Sequence, residues 1–341
     1  MNAKRFEAIT QRYSQLRVAL IGDFCLDRYL EIDLARNETS IETSLEVYNV
    51  VRVRSQPGAA GTILNNLVAL GAVTIYPIGF CGVDGEGFEL RRALAAKGGV
   101  NLDYFVETDE RRTFTYCKPL IVEPGKTPRE LNRLDSKNWS PTPASVQSHL
   151  VAGLDAVAAE VDAIIVMDQV DVAETGVVSN NILKALRRIL DQQPDLLIIA
   201  DSRRSLGNYP PAVAFKMNQS ELRALTGSRG DMKIADVQAA AAKFAQANGR
   251  PVFVTLSEQG IVGADGKGNT EHLPVLPVRG EIDIVGAGDA VTANLTAALA
   301  GGSSIREAIE LANAAASVVI HQLGTTGTAS VAQLREIVCD L

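Results

Sequence analysis

The sequence predicts an α/β fold: a three-layer α/β/α sandwich on a mostly parallel central sheet, with a small antiparallel β lid standing off it. Three observations predict it. Short, evenly apolar runs alternate with helical patterns along most of the chain, as parallel strands covered by helices on both faces do. Two segments, about 28–54 and 113–134, carry strand-like runs outside that rhythm, and the first alternates apolar with polar residues, as half-exposed antiparallel strands do. The 341 residues, 46% hydrophobic and 21% charged, suffice for a sizeable core and exclude disorder as the main state. The chain reads as a single domain, 1–341, with the lid drawn from those two segments; no internal repeat or flexible linker interrupts it.

The elements follow in order. The opening MNAKRFEAITQRYSQLR is charged and helical in pattern, without the apolar stretch of a secretory signal. Val18–Gly22 is a buried strand ending in Gly-Asp. Thr62–Leu70 follows a Pro-Gly pair and is helical; Thr74–Ile78 is a second strand. Gly87–Lys97 is a helix stopped by Gly98-Gly99. In the lid, Leu45, Val47, Val51 and Val53 alternate with polar residues, and Pro119 within Thr113–Val122 suits an edge strand. Trp139–Pro143 is a loop leading into a helix. Ala163–Met167, Leu196–Ala200, Val213–Phe215 and Val252–Leu256 are further buried strands. Between them Val172–Leu190 and Ile234–Ala247 read as helices, the latter with Ile234, Val237, Ala241 and Phe244 on one face. The tail, Ala287–Ala300, Ile305–His321 and Val331–Val338, is helical.

Charge and cysteine usage exclude several classes. A net charge of −7 argues against non-specific binding to nucleic acid or an anionic membrane. No apolar run approaches the roughly 18 residues that a membrane span needs. Cys25, Cys81, Cys117 and Cys339 are scattered, with no CxxC pair and no Cys/His cluster, so neither a zinc site nor a disulfide framework is expected. A cytoplasmic, reducing location is expected.

The stretch that carries chemistry is Asp283-Ile284-Val285-Gly286-Ala287-Gly288-Asp289-Ala290, just before a long helical pattern. A helix N-terminus presents unpaired N–H groups and a positive dipole end. Gly286 and Gly288 lack side chains, so an anion can approach the backbone closely. Asp289 then stands beside that pocket, able to accept a proton from an attacking hydroxyl while N–H groups hold a transferring phosphoryl. Glycine and aspartate also serve as plain helix caps, and the stretch alone does not separate the two readings. It fails as a dinucleotide fingerprint, because Val291 stands where a third small residue belongs; this disfavours an oxidoreductase. Gly125-Lys126-Thr127 imitates a P-loop end, but Leu120 stands where its first glycine would be.

At these residues the chain resembles the ribokinase-like (PfkB) family of carbohydrate kinases, over nearly its whole length. Asp283 to Asp289 is similar to that family's DTxGAGD signature, with Val285 at its third position. Gly22-Asp23-Phe24-Cys25-Leu26-Asp27-Arg28-Tyr29 is similar to the opening strand of its heptose-7-phosphate kinase branch. Leu131–Asp135, Ser257-Glu258-Gln259-Gly260 and Ala312–Ala316 followed by Leu323-Gly324-Thr325 strengthen that likeness. The resemblance implies ATP-dependent phosphorylation of a sugar or sugar phosphate. Asp289 would be the base, and Gly286, Ala287 and Gly288 the anion hole. Asn218 and Glu221 match an N-x-x-E motif that organises magnesium (Mg2+), through water, and phosphate; they can equally form a capping box. Thr255, Gly260 and Asn313 would meet the nucleotide, although Asn313 also reads as a packing or hydrogen-bonding residue. Asp283 is the candidate for a monovalent cation such as potassium (K+), which the spacing alone does not show.

On the sugar side, Asp23 and Asp27 follow the first strand, where carboxylates face the crevice of an open α/β sheet; either can instead be a solvated or salt-bridged acid. Gly58 and Asn66 (or Asn65) would line the substrate loop. Lys118 and Arg133 would sit in the lid, meeting a substrate phosphate or simply exposed. There are departures from the family. Thr62 replaces the usual loop asparagine, Asp168-Gln169-Val170-Asp171 lacks the branch's lysine, and Tyr116 stands where another lysine is usual. They leave the acceptor sugar open. An inactive sugar-binding regulator and a nucleoside kinase on the same fold are the alternatives. The lid's second face, being apolar, predicts a homodimer. No length is expected for the nucleotidyltransferase domain that some heptose enzymes carry.

Overall fold

The computed structural model describes residues 1–72, 74–204 and 206–339; the last two positions of the expected domain lie outside the described residues. The chain opens with α1 (Ala3–Thr10), whose N-cap Asn2 accepts from the Arg5 N–H. Then come β1 (Arg17–Gly22), β2 (Phe24–Ile32), β3 (Glu38–Thr39), β4 (Glu46–Val47), β5 (Val50–Ala59) and α2 (Ala60–Ala69). β6 (Thr74–Gly82), α3 (Gly85–Ala95), β7 (Phe105–Thr108), β8 (Thr115–Ile121), β9 (Arg129–Glu130), α4 (Ala144–Ala158) and β10 (Ala163–Asp168) follow. The second half holds α5 (Asn180–Gln192), β11 (Leu197–Ser202), β12 (Ala214–Asn218), α6 (Gln219–Thr226), α7 (Ile234–Asn248), β13 (Val252–Thr255), β14 (Ile261–Ala264) and β15 (Thr270–Leu273). It closes with α8 (Ala287–Ala300), α9 (Ile305–Ile320) and α10 (Val331–Cys339).

Among the described residues the main sheet has nine strands, in the order β15-β14-β13-β12-β11-β10-β1-β6-β7. The ladders from β13 to β7 are parallel, and β13, β14 and β15 form an antiparallel edge. Strand side chains point alternately to the two faces. Val18 and Leu20 of β1 therefore join the core under α1, α2, α8, α9 and α10, while Ala19 and Ile21 join the core under α4, α5 and α7. Burial on both faces is why these strands read as unbroken apolar runs. The order turns round beside β1, which pairs with β6 on one side and β10 on the other. A crevice opens at the carboxyl ends of strands at such a switch point.

The lid is a separate sheet of order β5-β2-β8-β9. Its β2–β5 and β8–β9 ladders are antiparallel and its β2–β8 ladder is parallel, a pairing that residue alternation does not specify. It starts earlier than the sequence suggested, at Phe24, and reaches Ala59. The expected single alternating run breaks into the β3–β4 ribbon and β5. Leu45, Val47, Val51 and Val53 are all exposed, as are Tyr48 and Val50.

One helix begins later than the pattern indicated. Residues 172–179 are a loop, and α5 starts at Asn180. Val177 and Val178 are buried there, so the apolar run packs without helical backbone. Asp23 explains the loop: its carboxylate accepts from the N–H of Gln169 at 2.9 Å, Val170 at 3.1 Å and Val177 at 2.7 Å. Among the described residues no helix is long and apolar enough to cross a membrane.

Candidate active site

The Asp283–Asp289 stretch lies where the sequence placed it, at the start of α8. Gly286 is the N-cap with φ of 84°, a left-handed conformation that glycine adopts without penalty, and no side chain caps the helix. The helix therefore opens with bare backbone at its positive end. Behind it the helix is anchored: Ala290, Ala293, Leu295, Ala297 and Ala298 are buried in the core.

Asp289 occupies the first turn and is partly accessible. Burial and the charge of Asp201 push its carboxyl up to about 7, against the opposing pull of Lys216 and Arg203. Beneath it lies a buried charge cluster. Lys216 Nζ, from β12, pairs with Asp201 Oδ2, from the end of β11, at 2.8 Å. Thr292 Oγ1, one turn into α8, donates to the same oxygen at 3.0 Å. Lys216 is 3% exposed and Asp201 0%. Asp201 Oδ1 is buried without a hydrogen-bond partner. A Cβ on Gly288 would stand 3.2 Å from Lys216 Nζ, so this ammonium lies directly under the glycine turn.

Sequence reasoning missed Lys216, Asp201 and Thr292. The available signal was a lysine inside an otherwise apolar strand, Ala214-Phe215-Lys216-Met217, and an aspartate ending another, Leu197–Asp201. A charge in such a place is rarely buried unless paired.

The strand-end residues expected on the nucleotide side converge in part. Asn218 and Thr255 face each other across the β12–β13 ladder. Asn218 caps α6: its Oδ1 accepts from the Glu221 N–H at 2.9 Å, and Glu221 Oε2 accepts from the Asn218 N–H at 2.7 Å. Glu221 Oε1 is left with one long contact, 3.5 Å from Arg203 Nη1. Gly260 has φ of 91°, and a Cβ there would meet the Leu273 carbonyl at 2.0 Å, so only glycine fits. The Asn313 amide donates to the carbonyls of Leu273 at 3.3 Å and Pro274 at 3.2 Å. It is thus a fastener in the wall of a cleft of about 670 Å³ that also includes Val275 and Leu276. Asp283 accepts from the N–H groups of Val285 at 3.0 Å and Gly324 at 3.3 Å. Among the described residues no cluster of three or more His, Cys, Asp or Glu could hold a metal ion.

On the acceptor side two expectations need correction. Asp23 is 4% exposed and its carboxylate is committed to the three backbone donors of the 169–177 loop. It holds that loop in place instead of offering a free acceptor. Asn66 is fully buried, its amide bonded to the carbonyls of Thr62 at 3.0 Å and Gly327 at 3.4 Å. Asn65, one position earlier, is only partly buried.

Asp27 is different. Its carboxylate has a thiol contact, Cys25 Sγ at 3.9 Å, and burial pushes its pKa up from the ordinary aspartate value. Gly58 lies against it, because a Cβ there would fall 2.6 Å from Asp27 Oδ2. Lys118, on β8, sits 5.0 Å from the Tyr29 ring. Burial lowers its ammonium, but Asp27 and Tyr29 outweigh this and hold it above its ordinary value. Arg133 lies just past β9, not in a strand; it is paired with Asp135 at 2.7 Å and stacked 4.7 Å from the Tyr116 ring. A cleft of about 1040 Å³ runs between the lid and segments 281–285 and 323–325, with Arg52, Arg54, Lys118 and Lys126 in its walls.

Known proteins share this architecture. Arabidopsis thaliana ribokinase, complexed with ribose and ATP, superposes with a TM-score of 0.68 at 18% identity, over 95% of this chain and 98% of its own. Escherichia coli phosphofructokinase-2, in complex with potassium, gives 0.70 at 20% identity, over 94% and 98%. Among curated relatives, the bifunctional protein HldE of Bradyrhizobium sp. (strain ORS 278) is 29% identical over 97% of this chain and 65% of its own length. That of Gluconacetobacter diazotrophicus is 30% identical over 94% and 63%. The chain thus spans just under two thirds of these relatives. The profile described as pfkB family carbohydrate kinase matches residues 18–332. A match over that span, together with the ribokinase-like sheet and lid, makes the chain a member of the pfkB family of carbohydrate kinases.

Proposed function

We propose that this chain transfers the γ-phosphoryl group of ATP to a hydroxyl of a sugar or sugar phosphate. The observation that supports this most is Asp289: a carboxylate whose pKa is pushed up to about 7, in the first turn of an uncapped helix, above a buried lysine. Asp289 takes the hydroxyl proton as the acceptor oxygen attacks phosphorus. The bond to the β-phosphate oxygen breaks and ADP leaves. The Gly286, Ala287 and Gly288 backbone holds the phosphoryl oxygens meanwhile. Thr255, Gly260 and Asn313 border the nucleotide. Glu221 leaves one oxygen free of backbone donors, which fits magnesium held through water; when bound, the ion would neutralise phosphate charge. The sugar lies against Asp27 and Gly58, with Lys118 and Arg133 toward any acidic substituent. Both Asp283 oxygens already accept N–H bonds, and potassium dependence is a separate question for the same assay. Free thiols at Cys25, Cys81, Cys117 and Cys339 suit the reducing cytoplasm.

A coupled ADP-release screen over free and phosphorylated sugars, with and without potassium, tests this reading. Turnover restricted to nucleosides would favour a nucleoside kinase. Sugar binding without ADP release would favour a regulator. Gly58→Ala would force a Cβ against Asp27, at a cost of roughly 1–3 kcal/mol. Its KM for the acceptor is expected to rise about tenfold or more, by the usual energy-to-affinity conversion. KM for ATP should stay within about twofold, the same conversion applied to a site that is not strained.

The exposed apolar residues of the lid, Val47, Tyr48, Val50, Val51 and Val53, support pairing with the same sheet of a second copy. Light scattering should give about twice the 36.4 kDa chain mass at micromolar concentration. Val51→Glu should shift the particle toward monomer. Monomer alone in the unmodified protein would count against this.

A further inference from the structure

Two consecutive arginines leave the end of β11, and their surroundings differ. Arg204 is fixed: its Nη2 pairs with the buried Asp168 Oδ2 at 2.9 Å and donates to the Val178 carbonyl at 3.2 Å. Lys216 on the next strand is fixed in the same way by Asp201. Arg203 is not. Its side chain is 38% exposed, and its contacts are long: Nε to Gln169 Oε1 at 3.4 Å and Nη1 to Glu221 Oε1 at 3.5 Å. Its backbone, however, is anchored, since its N–H donates to the Asp168 carbonyl at 2.9 Å.

A fixed backbone thus presents an under-bonded guanidinium at the carboxyl ends of the strands. It stands between the loop clamped by Asp23 and the α6 N-terminus that carries Glu221. Gln169 continues the connection, donating from Nε2 to the Tyr116 hydroxyl on β8 of the lid at 3.3 Å. Arg203 therefore sits between the acceptor side and the nucleotide side. Asp201, Asp289 and Glu221 all act to keep it charged, against burial. A surface pair at 3.5 Å is worth little, so leaving Glu221 costs little. A planar fork of donors matches phosphoryl oxygens better than a lysine ammonium does.

We infer that Arg203 is a further catalytic residue, whose guanidinium leaves Glu221 and Gln169 to bind the non-bridging oxygens of the transferring γ-phosphoryl group. The inference rests on the phosphoryl-transfer reading above. Arg203 gives up no proton in the step. The acceptor proton goes to Asp289, the new P–O bond forms to the acceptor, and the bond to ADP breaks. Arg203 stabilises the charge spread over the equatorial oxygens as this happens.

The test combines kinetics with calorimetry of Mg·ATP and Mg·ADP binding, after circular dichroism melts show the variants folded. Arg203→Met is expected to lower kcat about 10²–10³-fold, as loss of one oxyanion donor does, with KM for the acceptor little changed. It should also lose the preference for ATP over ADP while its affinity for ADP is kept. Arg203→Lys should recover only part of both. An active wild type alongside an Arg203→Met variant within threefold in kcat and unchanged in ATP preference would overturn the inference alone. If the wild type binds ATP but turns over no sugar in the screen, the binding comparison decides by itself. A wild type that binds neither nucleotide would overturn the phosphoryl-transfer reading and this inference with it.

Discussion

Asp289→Asn is expected to lower turnover by roughly 10²–10⁴-fold, the usual contribution of a positioned general base, with little change in the affinity for ATP. Asparagine keeps the shape of the side chain but cannot take the proton. In the unmodified protein the same group should set the pH profile. With its carboxyl pushed up to about 7 by burial and Asp201, kcat should fall as pH drops below that value, because the protonated acid is no longer a base. Stability should move the other way. The folded state holds a proton that the unfolded chain releases near the ordinary aspartate value of 3.8. The stabilisation is therefore complete below that value and is lost as pH rises through about 7. Melts at pH 5 and pH 8 should show the stability advantage of Asp289→Asn over wild type growing from the lower pH to the higher. Near-normal turnover in a folded variant would remove Asp289 from the base role.

Lys216→Met should have the largest effect on the fold. Asp201 would remain in the interior with one oxygen already unpartnered and only Thr292 donating to the other. Removing one member of a buried ion pair costs roughly 3–5 kcal/mol, most of it from the charge left behind. Adding Asp201→Leu should restore most of that loss, since replacing both partners by apolar groups is often neutral. Denaturant unfolding of the single and double variants measures both. Lys216 also opposes the upward push on Asp289. The residual activity of Lys216→Met should therefore need higher pH than wild type, and an unshifted profile would separate this lysine from the chemistry.

The parallel strands were legible because burial on both faces leaves unbroken apolar runs such as Ala163–Met167, and the helix starting at Ala287 because glycines mark its beginning. The 172–179 loop was not, because buried Val177 and Val178 imitate a helical core stripe. What forces the irregular backbone is an aspartate some 150 positions away, Asp23. The Lys216–Asp201–Thr292 cluster was hidden for the same reason. Its members come from two strands and a helix, and no local period relates them. Asn65 and Asn66 show the limit at one residue: adjacent amides read alike in sequence, but the turn of α2 sends Asn66 into the interior.

The placement of α8 bears on how such a protein can change over time. The helix that carries Asp289 is embedded in the core, whereas the rim of the lid, formed by β3, β4, β9 and the start of β5, is exposed. Substitutions that alter which alcohol is accepted can accumulate on the rim with little harm to folding. Those that disturb the mounting of Asp289 should be purged, because they would unfold the chain. Close cousins should accordingly diverge in diet long before they diverge in reaction.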